Sequence, residues 1–265
     1  MARVAKPKPT FDDKVKIPTP RDMNEWVIVG IDPSLSRTGL AVMTNTVDGP
    51  KWELIKSLKP ADSSYPVWVR SVMMADFITT AILAHTDSDK GLIISLEAPT
   101  PGNDWLNIVN KIIQSKVLPS VTHAFKEVCV MHINAMTLRS CLGLVEKGNN
   151  KHENIRKAHE YANAVEYPGI DSDACDAVLL GQFGRHASDL FLGQDIKTMP
   201  EKVMLALCDF SDVVKGKGRN QKIVKKGILY NPNYWFKYET KSYSISIKDA
   251  RIPPKKRLEK LEVSI

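Results

Sequence analysis

The chain lacks an apolar run long enough to cross a membrane, since no stretch approaches the roughly 20 apolar residues that a spanning helix needs. Its N-terminal stretch, MARVAKPKPTFDDKVKIPTP, also lacks the hydrophobic centre of a signal peptide. We therefore expect no membrane partner and a cytoplasmic location in the cell that makes the protein. The 265 residues, 43% of them hydrophobic, are enough for one sizeable core and an appendage.

Cysteine and histidine are too few and too scattered to suggest a zinc site. The four cysteines, Cys129, Cys141, Cys175 and Cys208, have no paired spacing of the metal-binding type. Buried free thiols are the better interpretation of them. The six histidines form no metal-type pair either, and we interpret them as scattered surface or core residues.

Positive charge is concentrated in the last quarter of the chain. Residues 201–265 contain 15 Lys or Arg against 7 Asp or Glu, whereas residues 1–200 contain 22 against 23. A basic segment on a neutral body suits a protein that binds a polyanion, because lysine and arginine displace counterions from phosphates. A solvated basic tail is the alternative explanation.

Composition also suggests how the chain is divided. Residues 1–25 mix Pro, Lys and Asp with few large apolar groups, which predicts a flexible N-terminal arm. Residues 26–195 are predicted to form the folded domain. In the basic C-terminal extension, residues 196–265, KGKGRNQKIVKKG indicates a loop and the following stretch two or three short strands, which together suggest a small β appendage.

Within the folded domain, the order of apolar patterns predicts an α/β fold. WVIVGID and TGLAVMTN pair as a hairpin through PSLSR, and KWELIKSLK is a third strand. LIISLE and EVCVMHIN each follow a helical pattern, the second of which is expected to break at Pro119. Helices over NNKHENIRKAHEYA and IDSDACDAVLLGQFGRHASDLFLG complete the order. The prediction is a five-stranded mixed sheet with helices on both faces.

Four carboxylates stand where these elements would bring them together. Asp32 and Glu97 each end an apolar strand, and strand ends of such sheets are where ligands collect. Asp173 and Asp176 lie three residues apart at the start of a helix and share a face. Simpler roles are also open: a turn-former for Asp32, a solvated strand end for Glu97, and helix capping for the pair. Asp171 is the better cap candidate.

As a set, the four carboxylates predict a metal site. Clustered negative charges repel one another and need a cation, and a ligand set of oxygens alone suits Mg²⁺ or Mn²⁺ rather than zinc. Two such ions about 4 Å apart can activate a water and stabilise the leaving oxygen in phosphodiester cleavage. The acidic site and the basic tail would then serve one purpose, because one cuts a polyanion and the other holds it.

Three motifs in this order carry a family resemblance: GIDPSLSRTGLAV, LEAP and DACDAV. They resemble the opening GIDPGxxxTGxxV, the Ile-Glu strand end and the final Asp-Ala-Ala-Asp-Ala helix of RuvC-type Holliday junction resolvases. Those enzymes belong to the RNase H-like nuclease superfamily. Motif order and element types agree over roughly residues 26 to 190. The resemblance implies an RNase H-like fold, here followed by the basic C-terminal extension.

The resemblance also implies an activity, that of a crossover junction endodeoxyribonuclease. It implies two Mg²⁺ ions, with Mn²⁺ as a substitute and no other cofactor, held by Asp32, Glu97, Asp173 and Asp176. A basic residue is expected at the scissile phosphate, and EKGNNKHENIRK offers Lys151 first and Lys147 second, with a solvated helix start as the alternative. The implied reaction is hydrolysis to 5′-phosphate and 3′-hydroxyl ends, as paired nicks across a four-way junction by a homodimer.

The chain also departs from the family pattern. Ser34 replaces a family glycine, and where the family places an aromatic wedge this chain has Thr100, with Trp105 further on. Trp105 is a candidate for stacking on an opened base, and a core tryptophan is the alternative. Lys225 and Lys226, close to the aromatics of YNPNYWFKY, are further candidates for DNA binding, and a small hydrophobic core of the appendage is the alternative role of those aromatics. The arm and the extension suit a phage or divergent member, whose location would be the host cytoplasm.

Two other functions remain open from the sequence. An actin-like or sugar-kinase-like nucleotide-binding protein also begins with an Asp-containing hairpin, but it predicts a second glycine-rich phosphate loop, which the sequence lacks. A catalytically silent DNA-binding or structural protein would keep the RNase H-like fold without its activity. The presence of all four carboxylates argues against that second alternative.

Overall fold

The architecture is known from a computed structural model of the chain. It describes residues 10–34, 36–59, 64–98, 104–144, 151–162, 170–194, 196–215, 221–230 and 235–236. The strands are β1 (Glu25–Asp32), β2 (Thr38–Thr46), β3 (Gly49–Leu58), β4 (Gly91–Glu97), β5 (Glu127–Ile133), β6 (Asp212–Lys215), β7 (Lys222–Lys225) and β8 (Trp235–Phe236). The helices are α1 (Phe11–Lys14), α2 (Val67–Leu83), α3 (Asp104–Val121), α4 (Ala135–Cys141), α5 (Lys151–Ala162), α6 (Ser172–Phe191) and α7 (Glu201–Cys208).

One mixed sheet, in the order β3-β2-β1-β4-β5-β8, organises the body of the protein. β1, β2 and β3 form an antiparallel meander, whereas β4 runs parallel to β1 and β5 runs parallel to β4. The short β8 adds an antiparallel edge to β5. The predicted five-stranded mixed sheet is therefore confirmed, with one two-residue strand added.

Helices cover both faces of the sheet because its strands are apolar on both faces. Trp26 and Ile28 of β1 pack in a cluster that includes Phe183 of α6, together with residues of α4, α5 and α7. The alternate residues, such as Val29, pack with Ile78 of α2 and with α3 on the other side. A strand buried on both faces reads as a continuous apolar run, which is the pattern WVIVGI. Among the described helices, none is long and apolar enough to span a membrane.

Two helix predictions differ from the structure. α3 runs from Asp104 to Val121 with Pro119 inside it, so the predicted interruption is wrong. The hydrogen bond that Pro119 cannot donate belongs to the last turn, where the helix ends in any case. α7 was not predicted, because its eight residues are too few to establish a clear helical period. Its Val203 and Leu207 are nevertheless fully buried in the core.

The N-terminal segment packs on the body from residue 10 onward. The amide of Lys16 donates to the carbonyl of Cys208 at 3.1 Å, and that of Arg21 donates to the carbonyl of Phe191 at 2.7 Å. These contacts differ from the flexible arm expected for this part of the chain. The division of the chain at residues 25 and 195 stays a prediction, and residues 1–9 lie outside the described part.

The basic extension, residues 196–265, contains a hairpin directly after α7. β6 and β7 pair as a two-stranded antiparallel sheet, in which Val214 faces Ile223 and Asp212 faces Lys225. Part of the predicted basic loop is therefore strand, because the adjacent β-branched residues Ile223 and Val224 in QKIVKK favour an extended backbone. Residues 216–220, which hold its remaining basic side chains, are not among the described residues.

Candidate active site

Asp32 and Glu97 end neighbouring parallel strands. Ile31 of β1 pairs with Leu96 of β4, so each carboxylate follows one residue later, on strands about 4.8 Å apart. Alternation along the strands directs both side chains to the face that α6 covers. The register therefore places the two acids side by side at one end of the sheet.

The start of α6 is fixed by Asp171. Its Oδ1 accepts a hydrogen bond from the amide of Ala174 at 2.9 Å, which confirms Asp171 as the cap. Arg37 Nη1 donates to Oδ2 at 2.7 Å, and the Ser57 hydroxyl donates to the same oxygen. Burial tends to raise the pKa of Asp171, but these hydrogen bonds outweigh it and hold the pKa below its usual value. With the cap supplied, Asp173 is not needed for capping.

Two glycines let α6 lie directly on the sheet. Gly39 of β2 pairs with Asp32, and a Cβ at Gly39 would come within 1.9 Å of the Asp173 carbonyl oxygen. A Cβ at Gly30 of β1 would come within 2.0 Å of the Ala177 carbonyl oxygen. Only glycine allows this approach, and it brings the first turn of α6 over the end of β1.

The electrostatics of Asp32 reflect this convergence. Burial is the largest cause that raises its pKa, which reaches about 9. The charge of Asp176, the hydrogen bond and charge of Glu97, and the charge of Asp173 follow as further causes, all of which raise it. The structure thus brings together the four carboxylates that the sequence singled out. Among the described residues, no positive group offsets their effect on Asp32.

The chemistry of this acidic cluster, Asp32, Glu97, Asp173 and Asp176, fits a hard divalent cation. Four carboxylates supply oxygen donors only, and a cation would relieve the repulsion at Asp32. Within the described part of the chain, however, no three Asp, Glu, His or Cys side chains are arranged so that they could hold an ion together. The cluster is therefore a set of suitable donors that the structure does not arrange as the ligands of one ion.

A cavity of about 230 Å³ opens beside the acidic cluster. It is lined by Arg139, Asn154, Ile155, Ser172, Asp173, Cys175 and Asp176. Arg139, Asn154 and Asp176 also line a smaller cavity of about 40 Å³ that reaches Glu97. Sequence reasoning missed Arg139 and Asn154, because neither residue stands out within its own helix and only the fold brings them to the cavities beside the carboxylates.

The other predicted site residues in the folded domain are only partly described. Lys151 is the first residue of α5, one turn before Asn154, and its side chain lies outside the described part. Trp105 is in the first turn of α3, and its side chain is likewise outside that part. Lys147 and Thr100 are not among the described residues. Their roles stay predictions.

The two lysines predicted for DNA binding already have partners in the fold. Lys225 Nζ lies 2.9 Å from Asp212 Oδ1 and 3.9 Å from the centre of the Phe210 ring. Lys226 Nζ lies 3.2 Å from Asp209 Oδ2, although two thirds of its side chain is exposed. These contacts hold the β6–β7 hairpin together and against the body, so DNA binding by either lysine stays a prediction.

The cysteines are buried free thiols, as the sequence predicted. Burial raises the pKa of Cys141 to about 11 and those of Cys175 and Cys208 to about 12, and it raises that of Cys129 further. Because only the thiolate is a good nucleophile or ligand, these thiols are inert near neutral pH.

No protein-family model and no curated protein matches the chain. Among solved structures, RuvC of Thermus thermophilus is similar at 15% identity and a TM-score of 0.47, covering 63% of this chain and 97% of that one. T. thermophilus RuvC in complex with a Holliday junction substrate is similar at 18% identity and a TM-score of 0.46, covering 63% and 96%. The human cytomegalovirus terminase nuclease domain is similar at 15% identity and a TM-score of 0.39, covering 60% and 83%.

Proposed function

We propose that the protein is a divalent-metal-dependent endonuclease that cuts branched DNA, with the four-way junction as its substrate. The observation that carries this proposal is the convergence of four carboxylates from β1, β4 and α6 around Asp32, whose pKa rises to about 9. Such a cluster destabilises the fold when no cation is present, and a strongly shifted pKa marks a candidate functional group. Phosphodiester hydrolysis is a reaction that uses a set of this kind.

The residues of the chain would divide the work as follows. Metal ligands are Asp32, Glu97, Asp173 and Asp176. Two bound Mg²⁺ or Mn²⁺ ions would supply an activated water and stabilise the leaving oxygen, which gives 5′-phosphate and 3′-hydroxyl ends. Lys151 would meet the scissile phosphate. Asp171 and Arg37 would be positioning residues, because their contacts hold the first turn of α6 and thereby orient Asp173.

Substrate and assembly belong to the same proposal. A homodimer would present two sites to the two strands of a four-way junction, which allows paired nicks. The basic extension, with 15 Lys or Arg in residues 201–265, would hold the polyanion through phosphate contacts. Lys147, Trp105, Lys225 and Lys226 are the side chains proposed for DNA contact.

The test is cleavage of a synthetic four-way junction, compared with linear duplex and flap substrates. We expect Mg²⁺-dependent or Mn²⁺-dependent nicks that leave ligatable 5′-phosphate ends and that stop when the metal is chelated. Asp32→Asn should fold and bind the junction but lose about 10³-fold or more of the cleavage rate. Asp76→Asn, which removes an exposed carboxylate from α2, is the matched control and should cut normally.

Absence of metal-dependent nicking of any branched substrate by the wild-type protein would refute the proposal. A readout independent of cleavage is thermal unfolding with Mn²⁺. The ion should raise the Tm of the wild type and of Asp76→Asn, and it should raise that of Asp32→Asn much less, because binding to the folded state alone stabilises it.

A second candidate is a catalytically silent DNA-binding protein of the same fold. It is favoured by one observation, the lack of any three metal-binding side chains arranged as ligands among the described residues. This candidate predicts that wild type and Asp32→Asn bind a four-way junction with equal affinity and that neither cuts it. The cleavage assay described above separates the two candidates directly.

A further inference from the structure

Arg139 lies on α4, at the same end of the sheet as the acidic cluster. Glu97 pairs in register with Ile133, the last residue of β5. α4 begins directly after β5, where the Asn134 side chain caps it by accepting from the amide of Met136 at 2.9 Å. This tight connection sets α4 beside the strand end that carries Glu97.

Arg139 and Asn154 share the cavities beside the cluster. Both line the 230 Å³ cavity together with Asp173 and Asp176, and both line the 40 Å³ cavity together with Glu97. They come from different helices, α4 and α5, yet they line the same cavities as the carboxylates. The cavity therefore has an acidic wall on α6 and β4 and a wall of hydrogen-bond donors on α4 and α5.

The guanidinium of Arg139 has no partner within the described part of the chain, where it makes no hydrogen bond or ion pair. Other arginines near acids are paired, as Arg37 is with Asp171 at 2.7 Å and Arg185 with Asp189 at 3.6 Å. Arg139 is half-buried and lines both cavities beside the acidic cluster. It is therefore a cation that faces the site and is not used by another described residue.

We propose that Arg139 binds the phosphodiester at the cleavage point, an inference that rests on the proposed function. Its fork of N–H donors matches two non-bridging phosphate oxygens, and such charge-assisted pairs are among the strongest hydrogen bonds in proteins. The Asn154 side-chain amide donates a further hydrogen bond to the same group. In the metal-free protein a phosphate that approaches the carboxylates is repelled by them, and Arg139 offsets this repulsion within the cavity.

The first experiment measures DNA binding without cleavage. In the Asp32→Asn background, with chelator, the affinity for a four-way junction is measured over a series of salt concentrations. Arg139→Gln should raise Kd about 5-fold to 10-fold and should reduce the slope of log K against log salt by about 1, as expected for one lost phosphate contact. Arg156→Gln is the control, because the charge of Arg156 is already paired with Glu153 and Glu160. It should leave the slope unchanged.

The second experiment measures cleavage in the otherwise wild-type chain. Arg139→Gln should lower kcat/KM about 10²-fold relative to the wild type. Arg139→Lys should show the wild-type salt slope but only part of the wild-type kcat, because lysine keeps the positive charge and lacks the two parallel N–H donors of the guanidinium. If wild type cuts and Arg139→Gln keeps both the rate and the slope, this inference is wrong and the proposed function stands. If wild type neither binds nor cuts the junction, both are wrong. Should Arg139→Gln unfold, Arg139→Lys decides, and wild-type kcat in that variant would overturn the inference.

Discussion

At the scale of single residues, Asp32 is the most constrained group of the site. It ends a central strand, lies largely buried, and is surrounded by three other carboxylates that raise its pKa. A turn-forming aspartate needs none of these surroundings, since it uses only nearby backbone amides. The strain of this position is therefore electrostatic, and it should be measurable as stability.

Asp32→Asn should stabilise the metal-free protein. The substitution keeps the size of the side chain and stays neutral in the folded and unfolded chain, whereas Asp32, with a pKa of about 9, must take up a proton when the metal-free chain folds at neutral pH. We therefore expect the free energy of unfolding in chelator to rise by about 2 kcal/mol. Urea unfolding with chelator measures this, with Asp76→Asn as the control that should change little. With Mg²⁺ present, the wild type should instead have the higher free energy of unfolding. A loss of stability in chelator would return Asp32 to the role of a turn-former.

His186 should make stability depend on pH. Burial, followed by the charge of Arg185, lowers its pKa to about 4, although Asp189 Oδ2 lies 4.0 Å from its Nδ1. The unfolded chain, with a pKa near 6.5, then binds a proton that the folded chain does not, so stability is full above pH 6.5 and falls as the pH drops towards 4. The loss should reach about 3 kcal/mol. Urea unfolding at several pH values should show this decline reduced in His186→Gln.

At the scale of elements, α6 is the part that assembles the site. Its first turn is held by Asp171 and Arg37, and its path over the sheet is set by close backbone contact at Gly39 and Gly30. Because this contact is between backbones, it leaves no flexible side chain that could move aside. The position of Asp173 relative to Asp32 therefore depends on the absence of a Cβ on β2.

Gly39→Ala should damage both stability and the site. Its Cβ would lie 1.9 Å from a backbone oxygen of Asp173, so α6 must shift, and we expect a loss of about 2–3 kcal/mol together with most of the cleavage activity. Gly49→Ala is an informative comparison. Gly49, with φ of 117°, has open space around it and belongs to the β2–β3 turn. The Gly49→Ala variant should lose about 1 kcal/mol of unfolding free energy and should remain active. Full activity in Gly39→Ala would show that the close contact between Gly39 and the backbone of α6 does not position Asp173.

The sequence predicted the elements whose pattern is set by burial within one segment. Strands apolar on both faces gave continuous runs, and Asp171 could be assigned as a cap from local spacing. Features that depend on contacts between distant segments could not be predicted in this way. Arg139 and Asn154 carry no local signal, because only the packing of α4 and α5 brings them to the carboxylates, and α7 is buried by tertiary contact alone.

At the scale of the whole molecule, the described segments before β1 and after α7 are attached to the body. The segment before β1 bonds to the ends of α6 and α7, and the β6–β7 hairpin is anchored by Lys226 and Asp209. Asp209 is itself buried, and the hydrogen bond from Lys226 is one of the contacts that lower its pKa against the effect of burial. The basic extension is thus attached by specific contacts, which fixes at least its first part relative to the sheet.

The short strand β8 has a further consequence for how the protein behaves in concentrated solution. Trp235 and Phe236 pair with Cys129 and Val128, which covers the start of the edge strand β5. An uncovered edge offers free amide and carbonyl groups to any other chain that can add a strand. A protein truncated after residue 230 should therefore self-associate in a concentration-dependent way that light scattering detects, whereas the full chain should remain dispersed under the same conditions. A truncated protein that stays dispersed would mean that β5 is protected by something other than β8.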